Sequence, residues 1–496
     1  MTKTKTILAS LLLTVLTTTA TAGGILTNTN QSIDFLRNPA RDAAIGLDGV
    51  YSNPAGVAFL NEGFHLGFNW QYAHQTRTIT TTNPLFNLGR KNNGATTKEF
   101  EGVADAPFIP SVQAAWNTGD WSLQFNFSVP GGGGKCEFAD GLGSFESVVG
   151  NLAHQLNAFG AQGYDMDGYM QGKQYYFGFQ LGAAYKINEK LSVYGGLRLL
   201  YGTANYKAKI SNIQVKMDGN TYVDFGSFLS GANSTVDTNL GMVNAGIAQY
   251  QNLGVDAHAE LLAQKAQLDG AKASLAALNK YSEGVNLLCD QSGVGVAPVI
   301  GIDYKLNDRF NFAAKYEFKT QMRMKNNSDV IEASEIPAIN KYRDDEKVNE
   351  DQPALLTIGA QYSPIDPLRI NLGWHMYFDK DADWYGNTQN LLDHNTIEYL
   401  AGAEYDINDK LTISLGGQLT RYGITDQYMN DMSFVVDSYS FGFGANYHLS
   451  DVVTLKAAYF QTNYETYDRK NYPAEGLHDS FTRTNRVIGI GCDINI

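Results

Sequence analysis

Apolar and polar residues alternate with a period of two along most of the chain, and the alternation is interrupted by short polar turns of recurring form. The clearest copy runs from Glu404 through Tyr405, Asp406, Ile407, Asn408, Asp409 and Lys410 to Leu411, and related phrases span Tyr185 to Leu191, Tyr304 to Phe310, Tyr362 to Leu368 and Tyr447 to Val453, with a looser one at Trp116 to Trp121. Asn, Asp, Ser and Gly suit a two-residue hairpin because they tolerate left-handed backbone. On the flanks Leu411, Ile413, Leu415 and Leu419 alternate with Thr412, Ser414, Gln418 and Thr420, so one face is apolar and the other polar. A Tyr stands beside almost every turn at the same height, which is the pattern of an aromatic girdle at a bilayer interface.

The alternation predicts strands at about 63–75, 107–117, 120–130, 173–187, 190–206, 294–306, 309–325, 353–363, 366–379, 395–407, 410–423, 435–449, 452–467 and 482–495. The fold class is therefore all-β: a 14-stranded antiparallel transmembrane β-barrel, with tight turns on the periplasmic side and long loops outside. The loops at about 76–106, 131–172, 207–293 and 326–352 exceed what a hairpin needs. A helix is expected over 255–281, where Leu261, Leu268 and Leu275 fall seven apart, and a second near Phe145, Val148, Val149, Leu152 and Leu156.

Before the first strand, residues 23–62 show no strand pattern. Asn38-Pro39-Ala40 and Asn53-Pro54-Ala55 each place Asn ahead of Pro, a helix-start signal. An N-terminal helical plug in the lumen is expected there, the alternative being a periplasmic tail. Met1 to Ala22 has Lys3 and Lys5, an apolar run from Ile7 to Leu16 and the small residues Ala20-Thr21-Ala22, a signal peptide with mature protein from Gly23. The domains are then 1–22 signal peptide, 23–62 plug and 63–496 barrel. No other stretch has the roughly 18 apolar residues of a spanning helix.

Composition adds limits. The 496 residues show no compositional break, and the formal charge of −14, or −16 without the leader lysines, argues against nucleic acid as a partner. Aromatic content of 12% fits girdles. Cys136, Cys289 and Cys492 lack metal-ligand spacing. Cys492 reads as an outward apolar residue, while Cys136 and Cys289 fall in two long outer loops, either as a disulfide or as free thiols.

Asp48-Gly49-Val50-Tyr51-Ser52-Asn53-Pro54-Ala55 running into a first strand Gly63 to Tyr72, together with the leader, plug and strand count, resembles the FadL/TodX family of outer-membrane transporters for long-chain fatty acids and other hydrophobic compounds. The resemblance is architectural and covers the whole mature chain. It implies a Gram-negative outer-membrane location, a fatty acid-like ligand caught by loop helices, a lumenal pocket beside the mature N-terminus, and sideways exit through a kink in the third strand. Two features depart from it: the third strand has no Gly or Pro from Trp121 until Pro130, and the chain ends on Ile496 rather than an aromatic residue.

Catalytic and metal signals are weak. Gly131 to Lys135 has the glycines of a phosphate loop, but Cys136 follows where Ser or Thr is needed, and a flexible loop is expected. Asp379, Asp381 and Asp383 have calcium-loop spacing, yet Trp384 stands where Gly belongs. His375 and His448 face inward without a nucleophile motif, so no enzyme, cofactor or metal is expected. The functional expectation is uptake of hydrophobic molecules by a monomeric barrel held in outer-membrane lipid, the alternative being a general diffusion porin or surface-binding barrel.

A fatty-acid carboxylate in an apolar lumen needs a cation. Alternation turns Arg198, Lys315, Arg369 and Lys456 inward, the first two near mid-barrel. Arg198 and Lys315 are accordingly expected to border an apolar pocket reached by Ile25; the alternative is that they pair with the inward acids Glu317, Glu398 and Glu404.

Overall fold

The computed structural model describes residues 24–330 and 337–496; the leader peptide and Gly23 lie outside them. A closed 14-strand antiparallel barrel is formed. Its strands are β1 (Gly63–Thr82), β2 (Thr97–Thr118), β3 (Trp121–Phe138), β4 (Gly163–Asn188), β5 (Leu191–Lys216), β6 (Val285–Asn307), β7 (Phe310–Glu317), β8 (Leu355–Ile365), β9 (Leu368–Tyr377), β10 (Thr396–Asn408), β11 (Leu411–Arg421), β12 (Ser438–His448), β13 (Val453–Tyr464) and β14 (His478–Asn495). Short segments at Arg323–Val330, Lys347–Asn349 and Tyr467–Lys470 prolong β7, β8 and β13. β14 closes on β1 from His65↔Asn495 to Thr82↔His478.

The turns work differently from the expectation. Asn188, Asn307 and Asn408 are not in the left-handed region. Each instead turns its side-chain oxygen onto two backbone N–H groups of the turn: Asn408 Oδ1 accepts from Lys410 at 2.9 Å and Leu411 at 3.0 Å, and Asn188 and Asn307 do the same. Asn recurs because it caps the turn. Only the looser copy uses positive φ, at Gly119 (57°).

Outside the membrane β1 to β6 run further than the alternation reaches, because above the lipid belt the contrast reverses, with Ile79, Phe100, Phe138, Met170, Tyr206 and Leu287 buried inward and polar residues facing out. Gly131 to Lys135 is therefore strand β3 and not a flexible loop. Cys136 and Cys289 likewise sit in β3 and β6. The row Cys136↔Gly172, Gly172↔Tyr206, Tyr206↔Cys289 puts three strand spacings between them, about 14 Å along the wall. That is beyond disulfide reach, and both are buried free thiols.

The helices are α1 (Ile33–Arg37), α2 (Gly49–Ser52), α3 (Gly143–Gln155), α4 (Phe225–Asn252) and α5 (Ala259–Leu278). Asn38 ends α1 instead of starting a helix: a residue before Pro is kept extended, and Asn38 has φ −157° and ψ 99°. Ser32 is the N-cap, its side chain accepting from Phe35 N–H. Asn53 ends α2 and accepts from Gly56 N–H at 3.2 Å, opening a 3₁₀ turn at Gly56–Phe59. Both loop helices expected from sequence form. α4, which the alternation missed, packs antiparallel on α5 with Lys272 Nζ 2.6 Å from Asp237.

Along the wall, apolar residues face out and polar residues face in. Leu415 is 66% exposed and Ser414 is buried, accepting from Arg37 Nη1 at 2.9 Å. Trp116, Trp121, Tyr185, Tyr304, Tyr362, Tyr405 and Tyr447 are exposed in a ring beside the turns. No helix among the described residues is long and apolar enough to cross a membrane. Leu415→Arg is expected to destabilise the barrel in lipid vesicles by about 2 to 4 kcal/mol, and Ser414→Ala by about 1 to 2 kcal/mol through one lost charged hydrogen bond; urea unfolding checks both.

Candidate functional site

Residues 24–60 fill the lumen, nearly all of them buried. Polar side chains inside a wall of lipid-facing strands need partners, and the N-terminal segment supplies them. Asp34 pairs with Arg37 and with Lys456 of β13, Arg41 bridges Asp48 and Glu404 of β10 at 2.8 Å each, and Asp42 lies 2.9 Å from His375 Nε2 of β9. His375 Nδ1 meets Glu398 at 2.9 Å. His375, read from sequence as lacking a partner motif, is thus held between two carboxylates, one from the wall and one from the segment inside it.

Arg198 and Lys315 also point inward, Lys315 in the same row as His375 across Thr357 of β8. Both pair with Glu317, Lys315 at 2.6 Å. Arg198 also donates to Gln180 Oε1, Lys315 donates to Tyr51 O at 2.8 Å, and both cations lie over the Tyr51 ring. Ile25 belongs to another chamber, lined by Leu26, Trp384, Thr388, Tyr428, Asn430 and Ser433. The three residues expected to share a ligand pocket are not brought together. Arg198 and Lys315 take the alternative role, pairing with an inward acid.

One stretch of wall is incomplete. The β2/β3 ladder runs from Gly102↔Phe138 to Ala104↔Cys136 and resumes only at Val112↔Phe127. Pro107, Pro110 and Pro130 fall within the break and cannot donate to a ladder. Here β3 bends, with Gly132 at φ 90° and Gly134 at φ 71°. A Cβ on Gly132 would come within 2.4 Å of Gln174 O. The backbone of the bend is paired from inside by the N-terminal segment. Thr27 bridges to Gly131, Asn28 N–H donates to Pro130 O at 2.9 Å, Asn28 Nδ2 donates to Gly132 O at 2.9 Å, and Gln31 exchanges hydrogen bonds with both backbone groups of Val129. The glycine run, set aside from sequence as a loop, is the most informative motif in the chain, and Pro130 beside it was the available signal.

Two spaces adjoin at Asn430, and a third lies at the break. An outer cleft of about 310 Å³ lies between Thr81, Ser144, Met429, Asp431, Arg469 and Leu477. Below it, sharing Asn430, is the narrow apolar chamber at Ile25 and Leu26. A cavity at the break is lined by Asn28, Gln31, Ala106, Ile109, Val129, Gly132, Tyr175, Gln75 and Asn485. Both amide atoms of buried Asn485 and Nε2 of Gln75 lack hydrogen-bond partners. Arg77 and Arg483 face each other across β1 and β14, and both donate to Gln75 Oε1, at 3.0 and 3.1 Å.

No family model and no curated relative matches the chain. Among solved structures the fold is similar to that of a Pseudomonas aeruginosa FadL homologue, with TM-score 0.62 and 13% identity over 95% of this chain and 100% of that one. It is also similar to the P. putida toluene transporter TodX, with TM-score 0.55 and 15% identity over 91% and 94% of the two chains. The barrel fold is shared at sequence identities where little else is.

Asp379, in the outer loop after β9, accepts hydrogen bonds from Thr396 N–H at 3.1 Å and from Ile25 N–H. Burial pushes its carboxyl up to about 7, and burial pushes Asp431 up to about 6. A carboxyl raised on folding keeps a proton that the unfolded chain has lost, so stability falls as pH rises through the folded value. The thermal midpoint is expected to fall between about pH 4 and pH 7 and to level off above, with Asp379→Asn flattening the upper part of that slope. Gly132→Ala, forced into left-handed backbone against Gln174, is expected to cost about 1 to 3 kcal/mol in denaturant titration.

Proposed function

We propose that this chain takes up hydrophobic small molecules, of the long-chain fatty acid kind, across the outer membrane of a Gram-negative bacterium. The observation that carries this reading is the break in the β2/β3 ladder, where the bend of β3 is paired from inside by residues 27–31. A diffusion porin has no use for a break in its wall, and its lumen would not be filled by a segment latched through buried ion pairs.

On this reading a ligand enters the outer cleft, displaces Ile25 and Leu26 from the apolar chamber, and leaves through the wall at Val129 to Gly134. The N-terminal segment acts as plug and latch together, since moving Thr27 to Gln31 removes the partners of the β3 bend. A fatty acid brings a carboxylate that must stay paired. Gln75 of the cavity wall accepts from both Arg77 and Arg483, so their positive charge reaches the cavity through that amide, while Ala73, Ala104, Ile109 and Val129 suit the ligand's chain. The fold of TodX and the FadL homologue supports the transport reading over an enzymatic one.

A cross-link tests the exit. A Cβ on Gly134 would lie 3.7 Å from the Ala106 Cβ, inside the range of a disulfide. In a Cys136→Ala background, Ala106→Cys with Gly134→Cys is expected to abolish uptake of radiolabelled oleate when oxidised and to restore it on reduction. Unchanged uptake by the oxidised protein would exclude this gap as the route.

A further inference from the structure

The lipid-facing wall carries a cluster of lysines beside the break. Lys135 of β3 stands directly opposite Lys173 of β4. Lys173 is opposite Asn205, and Gln171 is opposite Lys207, which makes Lys207 the diagonal neighbour of Lys173 on β5. Lys209 follows on the same face, and all four are exposed. Like charges directly across a strand pair repel, with Cβ atoms about 5 Å apart and diagonal neighbours about 7 to 8 Å apart. In a chain of net charge −14 such a grouping is out of keeping with its surroundings. Glu137 pairs with Lys135, and Asp290 is engaged by Asn205 Nδ2. Lys173, Lys207 and Lys209 have no carboxylate within ion-pair distance among the described residues.

Their height is specific. Tyr185 lies in the aromatic ring beside the turns, and the ten-residue interval to Tyr175 on the same face of β4 spans about 24 Å in a tilted strand, which matches the apolar band of a membrane barrel. Lys173 is the next outward residue above Tyr175, with its Nζ 5.7 Å from the centre of that ring. Below the lysines the wall is apolar, with Phe179, Leu199 and Tyr201 exposed. Cations directly above an aromatic edge and an acyl-facing surface match a lipid with an anionic headgroup.

We infer that Lys135, Lys173, Lys207 and Lys209 form a binding site for the phosphorylated headgroup of an outer-leaflet glycolipid, with its acyl chains against Tyr175, Phe179 and Tyr201. The site rests on the reading of the barrel as an outer-membrane protein. Charge complementarity selects the occupant, because a zwitterionic headgroup would leave three lysines unneutralised. Lys135 directly follows the glycine bend, so a lipid held there also borders the upper edge of the break.

The test uses the full chain in neutral detergent, with bisphosphorylated lipid A, phosphatidylethanolamine or inorganic phosphate as probe. Lipid A is expected to raise the unfolding midpoint by several degrees, where the other two do not. The combined Lys135→Gln, Lys173→Gln, Lys207→Gln, Lys209→Gln variant is expected to lose that shift and to bind lipid A on the order of tenfold or more weakly, while the matching Lys→Arg variant keeps both. An equal shift in wild type and the Gln variant overturns the site, as does an equal shift with inorganic phosphate. Should the fourfold variant not fold, Lys207→Gln with Lys209→Gln is expected to lose at least half the shift, and no loss overturns the site. Heat-modifiable migration of the wild type in lipid vesicles reads the membrane barrel separately, and oleate binding by the Gln variant reads transport separately.

Discussion

The hydrogen bonds between residues 27–31 and the bend of β3 are the point on which the rest of the structure turns. At bilayer depth every backbone N–H and C=O needs a partner inside the protein, and an open sheet edge is not tolerated there. From Ser128 to Lys135 β2 does not supply those partners to β3. The N-terminal segment does, from inside, through Thr27, Asn28 and Gln31. An interrupted wall and a filled lumen are thus two aspects of one requirement, since neither is stable without the other.

The buried charges serve the same arrangement. Asp34, Arg37, Arg41 and Asp42 of the segment engage Glu404, Lys456 and His375 of the wall. Breaking one partner of a buried pair leaves an uncompensated charge, which is strongly destabilising, whereas the intact pair contributes little net stability. Such a network fixes position more than it adds strength. It holds α1 and α2 in register near the end with the tight turns, and leaves residues 24–31 attached, among the described residues, by neutral hydrogen bonds and by the carboxylate of Asp379. The firm and the yielding parts of the segment differ in the chemistry of their contacts.

Much of the frame is legible in the sequence because a period of two over a lipid-facing wall leaves no ambiguity at Leu411, Ile413 and Leu415, and because Asn408 and its counterparts mark the turns. What escaped lies where that contrast fails. Above the belt the outward face of β1 carries Thr76, Thr78 and Thr80 and only Ile79 is apolar on the inward face, the reverse of the pattern below, so the length of β1 was hidden. Gly131 to Gly134 carries no side chains to alternate, and its strand character follows from its neighbours and from Asn28 and Gln31, about a hundred residues away. Inward cations were identified correctly, and Glu317, two residues from Lys315 on the same face of β7, was a readable partner; that Arg198 joins them depends on which strands are adjacent. The cysteines failed for the same reason: loop membership was inferred from missing alternation.

The closure of β14 on β1 ties the seam of the barrel to the segment inside it. The segment inside the barrel is joined directly to β1, which is one lip of the seam, while its contacts are spread over β3, β9, β10 and β13. The lip of the seam and the filling of the lumen are therefore one continuous piece of chain, so a strain on either is felt by the other.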